Sequence, residues 1–386
     1  MRLDESQSSI NKETRGGKRP SSRLSVFNAI RRPDNRESKS NGSALLLVLW
    51  VIGLLAMIVA SFAFDAHLEG KIISYSRKRL RAEALAQSGM EVAKMLLDKQ
   101  KTTSGSVSDE VREEDRWYEP ALALSRGRST TVNVSLGEGT IRIDIEPEEV
   151  WRNINKLTEE DWERIFFAIG LPEEYWPELI DSYFDWTDPD DIPRDDGAET
   201  DDYYSTLDPP YAAANGPFDT VRELLLVKGF NEAILSGGVF NPDAPKESQI
   251  VITNGVERLL TTYGDGKVNV NAVRQDNIAV LLTLPGVTDI VAANAILEER
   301  EQLSTGAVTT QHDLDEEDTS YKSVSDFMSR VGDLLDDTSI QNYITTKSSY
   351  FRITSVGQVG RTTRRIWAVV YADEEDWRIL RWREEP

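Results

Sequence analysis

The sequence has 386 residues, of which 39% are hydrophobic, and this is enough for two or three modest domains and too apolar for a disordered chain. Its net charge of −22 repels phosphate backbones, which argues against nucleic acid as a partner. The absence of cysteine excludes disulfides and thiol chemistry.

The first 64 residues combine a basic leader with an apolar segment. Residues 1–42 hold ten Lys or Arg against five acids, a net charge of +5. Because the whole chain has a net charge of −22, the residues after Gly42 carry −27. The 22 residues from Ser43 to Phe64 contain no charge, and as a helix they would be roughly 33 Å long, about one bilayer core. By the positive-inside rule, the leader is predicted to be cytoplasmic and the acidic body to lie outside.

Helical periodicity continues beyond Phe64. Apolar residues recur every three or four positions, which predicts that one helix is membrane-bound in its first half and amphipathic in its second. The apolar positions are Leu80, Ala84, Ala86, Met90, Ala93, Leu96 and Leu97.

Strand patterns frame the middle of the chain. Apolar and polar residues alternate on both sides of Gly137-Glu138-Gly139, which predicts a β-hairpin. The C-terminal stretch from Tyr350 onward predicts three more strands. Because late strands must return to pair with early ones, the helical midsection is predicted to be a large insertion in a sheet domain.

The insertion contains an internal repeat at an offset of 116 residues. Asn153-Ile154-Asn155 opens one half and Asn269-Val270-Asn271 the other. Apolar positions then correspond in register, which predicts a duplicated helical unit. The corresponding pairs are Ile165 with Leu281, Leu171 with Val287, and Ile180 with Ile296.

The second copy carries a helix-hairpin-helix pattern, LLTLPGVTDIVAANAILEERE, with Pro285-Gly286 at its turn. Such hairpins bind DNA phosphates through backbone amides at two glycines, but Thr288 stands where the second glycine would be. The segment is also acidic, so it is interpreted as a packing and protein-contact unit.

An acidic loop separates the two copies. Carboxylates concentrated in a segment punctuated by Pro and Gly can hold a hard divalent cation, although a solvated acidic loop is the commoner outcome. The candidate ligands are Asp185, Asp188, Asp190, Asp191, Glu199, Asp201 and Asp202, and their spacing is not that of an EF-hand.

Two sets of residues resemble a known family. The basic leader that ends at Gly42 before an unbroken apolar helix resembles the signal of type IV pilins and pseudopilins, which prepilin peptidase cuts after the glycine. Most such proteins have Glu at the fifth mature position, here Leu47, and the K-class minor pseudopilin of type II secretion characteristically lacks it. The acidic loop, with Tyr203-Tyr204 and Asn215-Gly216-Pro217-Phe218, closely resembles that K class.

The resemblance implies an α+β, type IV pilin-like fold. A long N-terminal helix would pack on an antiparallel sheet, and an inserted helical domain would contain two SAM-like, helix-hairpin-helix units. The predicted organisation is a cleaved leader at 1–42, the membrane and amphipathic helix at 43–100, the first strands at 101–150, the first helical unit with the acidic loop at 151–260, the second unit at 261–345 and the last strands at 346–386.

The implied role is that of a minor pseudopilin at the tip of the type II secretion pseudopilus, in the bacterial inner membrane with a periplasmic C-terminal domain. The implied partners are the I, J and H minor pseudopilins, the major pseudopilin, the prepilin peptidase, the inner-membrane assembly platform, and membrane lipid before assembly. Cleavage is expected between Gly42 and Ser43, with methylation of the new N-terminus left open, and calcium is expected at the acidic loop.

Two other functions remain open from the sequence: an uncleaved single-pass scaffold, and a membrane-tethered DNA receptor that uses the hairpin unit. An enzyme is not expected. The two histidines, His67 and His312, cannot together make a zinc site, and neither has a nucleophile nearby in the sequence.

Overall fold

The computed structural model of the chain describes residues 42–103, 115–301, 318–373 and 376–385. The chain divides into two compact units, residues 1–68 and 69–386. Its α-helices are α1 Gly42–Lys99, α2 Tyr118–Ser125, α3 Glu159–Ile169, α4 Trp176–Thr187, α5 Glu232–Ser236, α6 Ile290–Glu301 and α7 Val324–Val331. Its strands are β1 Thr130–Leu136, β2 Gly139–Pro147, β3 Arg152–Asn153, β4 Gly238–Val239, β5 Val251–Ile252, β6 Leu260–Thr261, β7 Val268–Asn269, β8 Ile344–Thr345, β9 Tyr350–Val359, β10 Thr362–Ala372 and β11 Trp377–Glu385. Short 3₁₀ helices lie at Glu148–Val150, Ile154–Lys156, Glu173–Tyr175, Tyr204–Thr206, Val221–Leu226, Lys246–Ser248, Val256–Arg258, Gln275–Thr283, Gly332–Leu334 and Thr338–Asn342.

Helix α1 begins in the first unit and continues into the second. Its N-terminal part is apolar and exposed on every side from Ala44 to Phe64. Within the described ranges, it is the one helix long and apolar enough to cross a membrane. The predicted long N-terminal helix is therefore present.

The second unit is built on a five-stranded antiparallel sheet in the order β1-β2-β9-β10-β11. The predicted hairpin forms β1 and β2 around Gly137, whose positive φ of 60° suits glycine. The C-terminal strands return to pair β9 with β2. The predicted α+β fold class is confirmed.

The C-terminal half of α1 packs against this sheet through five of the seven predicted positions, and the other two are exposed. The five buried positions are Ala86, Met90, Ala93, Leu96 and Leu97. Leu80 is 66% exposed, and Ala84 is exposed as well. Ala82 and Gly89 face the sheet instead, because the two backbones approach too closely for large side chains. A Cβ on Gly89 would lie 2.0 Å from the Ser355 hydroxyl oxygen.

The insertion between β2 and β9 has its own hydrophobic core, which shares no residue with the core under α1. Its largest buried side chain is Trp162, whose ring packs edge-on against Tyr183 at 4.9 Å between ring centroids. Two-stranded parallel ladders join β3 to β6 and β7 to β8. The insertion is thus a folded body and not a long loop.

The two Asn-x-Asn segments occupy equivalent positions, as the repeat predicts. The Asn155 side chain both accepts from the backbone N–H of Phe218 and donates to its carbonyl oxygen. Asn271 forms the same pair of hydrogen bonds with the backbone of Tyr321. Gly170 and Gly286, 116 residues apart, both have left-handed backbone with φ of 76° and 78°.

The second copy departs from a regular helix-hairpin-helix in its first helix. Residues Gln275–Thr283 form a 3₁₀ helix that is interrupted at Asn277, and only α6 is an α-helix. The Asn277 side chain accepts from the backbone N–H of Arg274 at 2.6 Å and so caps the start of the segment, while its own backbone is not helical, with φ of −125°. Pro285 then ends the segment, because the residue before a proline avoids helical backbone.

Candidate functional site

The acidic loop begins inside the last turn of α4, at Asp185. This carboxylate is completely buried, and its Oδ2 accepts a hydrogen bond from the Ala198 backbone N–H at 2.7 Å. The Arg194 backbone N–H also donates to it at 3.2 Å. Gly197 is required beside it, since a Cβ there would lie 1.9 Å from Oδ2. Asp185 therefore folds the loop back onto α4, and burial raises the pKa of its carboxyl.

Three carboxylates converge in the folded loop. One oxygen from each of Asp188, Asp190 and Glu199 lies within 4.8 Å of the other two. Among the seven predicted ligands these three are brought together by the structure. They come from the loop just after α4 and from the segment that Asp185 holds against it.

Glu199 is the most unusual member of this cluster. Its side chain is 1% exposed, and its Oε1 has no hydrogen-bond partner among the described residues. Burial, together with the negative charge of Asp185 and Asp188, raises the pKa of its carboxyl to about 7. A buried acceptor without a partner is costly unless an additional group satisfies it.

The other four predicted ligands have different roles or positions. Asp185 binds backbone amides, as described. Asp202 Oδ1 accepts from the Glu199 backbone N–H at 2.8 Å, and Asp191 Oδ1 accepts from the Asn215 side chain at 3.1 Å. Asp201 is exposed, and it lies outside the converging group of three.

Asn215 contacts the acidic loop, although the charge pattern does not point to it. Its amide nitrogen donates to the Asp190 carbonyl oxygen at 3.3 Å and to Asp191. Its Oδ1 is buried and has no partner within the described part of the chain. Its φ of 45° is left-handed, a conformation that Asn tolerates better than most residues. The Asn-Gly-Pro turn signal around it was visible in the sequence.

The oxygen donors fit a hard divalent cation. Calcium takes six to eight oxygen ligands from carboxylates, amide carbonyls and water. The cluster offers three carboxylates, and the unpartnered oxygens of Glu199 and Asn215 are both of the required type. A bound cation would offset the mutual repulsion of the carboxylates and lower the pKa of Glu199.

The predicted cleavage site lies at the start of α1. Gly42 is the first residue of the helix, while residues 1–41 lie outside the described residues. Leu47, at the position where most pilin-like proteins have Glu, is 65% exposed. His312 also lies outside the described residues.

Comparison with known proteins finds similarity to one family in part of this chain. The family model for type II secretion system (T2SS) protein K matches residues 146–237, which include the whole acidic loop. Type II secretion system protein K of Pseudomonas aeruginosa is 24% identical over 190 residues, which are 49% of this chain and 57% of that protein. Putative type II secretion system protein K of Escherichia coli K12 is 24% identical over 211 residues, covering 51% of this chain and 60% of that protein. The chain therefore matches less than two thirds of the length of either relative.

One solved structure has a similar fold. A chain from the crystal structure of the GspK-GspI-GspJ complex of the enterotoxigenic Escherichia coli type 2 secretion system superposes with a TM-score of 0.53. The match covers 82% of this chain and 99% of that chain at 15% identity. At that identity the likeness concerns the fold.

Proposed function

We propose that this chain, which carries a type II secretion system protein K domain, is a minor pseudopilin at the tip of the type II secretion pseudopilus. One structural observation carries the proposal. A single helix, α1, is apolar and exposed over its first 21 described side chains, Ala44 to Phe64, and its second half packs on an antiparallel sheet. An exposed apolar helix of this length needs either lipid or other apolar helices around it.

The properties of that helix suggest three steps: membrane insertion, cleavage and assembly. The chain inserts in the inner membrane with its basic leader in the cytoplasm, in agreement with the positive-inside rule. Prepilin peptidase cuts between Gly42 and Ser43, and the assembly platform then moves the helix from lipid into a bundle of similar helices. Whether the new N-terminus is methylated does not affect this sequence of events.

Leu47 supports a position at the tip. In an apolar bundle a carboxylate is costly unless a cation pairs with it. A chain with Leu47 does not form such a pair with a neighbouring N-terminal amine, and the last subunit has no neighbour above it to contact. The body, with its large insertion, would then cap the filament.

The proposed partners are other pseudopilins. The fold neighbour was solved as a complex of GspK, GspI and GspJ, and this supports the I and J minor pseudopilins as direct partners. The H minor pseudopilin and the major pseudopilin would lie further along the filament. The role is structural and requires no catalytic step.

Cleavage can be tested by the mass of the membrane-extracted protein. We expect the wild type to begin at Ser43, and Gly42→Leu to retain Met1 because the small residue before the cut is lost. Ser43→Ala, a change of similar size on the other side of the bond, should still be cut. An intact wild-type chain would instead support an uncleaved single-pass scaffold.

The position in the filament can be tested by co-purification and labelling. Full-length protein in detergent should co-purify with the I and J minor pseudopilins, and immunogold label should mark one end of isolated pseudopili. Label spread along the whole fibre would contradict the tip assignment.

We further propose that calcium binds the acidic loop through Asp188, Asp190 and Glu199, with Asn215 as a neutral ligand. The unpartnered oxygens of Glu199 and Asn215 support this assignment. Calcium would hold the loop against α4 and so stabilise the insertion. The first prediction of the Discussion tests it.

A further inference from the structure

The last strand, β11, forms one edge of the sheet and pairs with β10 alone in the described part of the chain. An edge strand offers a row of backbone N–H and C=O groups to any extended segment that lies beside it. Seven of its nine residues are exposed, and three of these are large and apolar: Ile379, Leu380 and Trp382, at 52%, 42% and 40%. Few proteins leave an edge with so much apolar surface uncovered.

The two faces of β11 differ in chemistry. Ile379 and Trp382 pair with Val370 and Ala368, which belong to the core under α1, so their side chains lie on the α1 side of the sheet. Arg381 and Arg383 pair with Val369 and Trp367 on the opposite side. An added strand would therefore meet Ile379 and Trp382 on one face, with Glu384 at its end, and arginines on the other.

The arginine face borders a cleft of about 520 Å³ between the sheet and the insertion. Five arginines and three glutamates line it, so its formal charge is +2 in a chain of −22. These residues are Arg222, Arg352, Arg365, Arg381 and Arg383, with Glu148, Glu257 and Glu385. The local charge is opposite to that of the rest of the molecule, which favours an anionic partner.

The arginines of the cleft differ in how many guanidinium donors are free to bind a partner. Arg352 donates two hydrogen bonds to Glu148, at 2.7 and 2.8 Å, and is therefore satisfied. Arg383 and Arg365 share Glu385 at 3.5 Å. Arg381 forms no ion pair with any described residue, and its guanidinium lies 5.8 Å from the centre of the Trp367 ring. Arg381 and Arg383 thus have donors left for another carboxylate.

Charged residues and a bulge also protect edge strands from unwanted pairing, and β11 has both, with the bulge opposite Val369 and Val370. That role explains the arginines but not the exposed Ile379 and Trp382. A purely protected edge would carry charge or proline at those positions.

We propose that β11 binds an extended acidic segment of a partner protein, which adds to the sheet as a sixth strand. Because side chains alternate along a strand, the segment would place Asp or Glu at every second position, opposite Arg381 and Arg383. The intervening positions would be apolar and would cover Ile379 and Trp382. This site is separate from the helix and the acidic loop, and it does not depend on the tip assignment.

The test uses the full chain in detergent micelles and fluorescent nine-residue peptides. The first peptide alternates Glu with Val, the second has the same composition in two blocks, and the third alternates Lys with Val. We expect saturable binding of the first alone, weakened by salt, with slower hydrogen exchange of the backbone amides in residues 377–385. Binding without protection of these amides, or equal binding of the block peptide, would overturn the proposal.

Charge reversal identifies the side chains. Arg381→Glu with Arg383→Glu should weaken binding about tenfold or more, from the usual strength of exposed charge pairs and the added repulsion. Arg142→Glu is the matched control, because Arg142 is an exposed arginine on β2 of the same sheet, outside the cleft. If the double variant loses stability, Arg381→Gln alone should still weaken binding, and unchanged affinity in both would contradict the assignment.

Discussion

Replacement of Glu199 by Gln tests the acidic loop most directly. In the metal-free protein the Glu199 carboxyl has a pKa of about 7, against an ordinary value of 4.5. Between these two pH values the unfolded chain releases a proton that the folded chain retains. The folded state therefore loses stability as pH rises through this window, by about 3 kcal/mol in total.

Glu199→Gln removes this loss, because the amide does not ionise and can donate to the neighbouring carboxylates. Without calcium we expect the variant to equal the wild type near pH 4.5 and to be more stable by about 3 kcal/mol at pH 8. Burial also raises the pKa of Asp185 and of Glu149. Both proteins share those groups, so the difference between them reports on Glu199.

Calcium should offset nearly all of this difference at pH 8. A ligand at about 100 times its Kd stabilises the folded wild type by about 2.7 kcal/mol, and more strongly at pH 8 than at pH 5.5 because Glu199 must lose its proton to bind. Glu199→Gln should lose most of that gain. Asp201→Asn, which removes an exposed carboxylate two residues away, should keep it.

The assay is chemical unfolding of the full chain in detergent at pH 4.5, 5.5 and 8, with calcium or with chelator. If calcium stabilises Glu199→Gln and the wild type equally, Glu199 is not a calcium ligand. A metal-free wild type whose stability matches the variant at every pH would show that the buried carboxyl does not carry the raised pKa.

Two further predictions concern packing and a buried ion pair, and chemical unfolding measures both. Gly89→Ala should lower the free energy of unfolding by about 1–3 kcal/mol, because its Cβ would lie 2.0 Å from Ser355 Oγ. The control is Gly70→Ala on the same helix, which has nothing within 4 Å and should raise the free energy of unfolding by up to about 1 kcal/mol. A change of the same sign in both variants would contradict the close contact at Gly89. Asp161→Asn should lower the free energy of unfolding by about 3–5 kcal/mol, because it leaves the buried Arg152 guanidinium without the carboxylate that lies 2.7 Å from it. A loss below about 1 kcal/mol would show that the pair is not buried in solution.

The parts of the fold that local patterns control could be predicted from the sequence. Alternation of apolar residues placed the β1–β2 hairpin and the C-terminal strands, and the offset of 116 matched equivalent backbone positions at Gly170 and Gly286. Hydrophobic periodicity predicted five buried positions on α1, but not the places where the helix and the sheet approach most closely. Close approach of helix and sheet selects small residues such as Gly89, while Leu80 faces away from the core.

The candidate site was predictable as a region but not as a ligand set. Nine carboxylates lie within the 18 residues 185–202, and seven of them were predicted as ligands of a cation, yet three of these seven converge. Which three depends on the path of the backbone, and Asp185 sets that path by accepting amide hydrogens nine and thirteen residues away. Asn215 comes from beyond the acidic run, so charge density alone could not identify it.

The position of Asp185 explains why a loop of carboxylates is coupled to the fold of the insertion. Asp185 lies in α4 two residues after Tyr183, whose hydroxyl donates to the Ile154 carbonyl oxygen at 2.5 Å and whose ring packs on Trp162. One helix, α4, thus contacts both the acidic loop and the centre of the insertion core. The core under α1 contains none of these residues, so a cation at the loop would stabilise the insertion and leave the packing between α1 and the sheet unchanged.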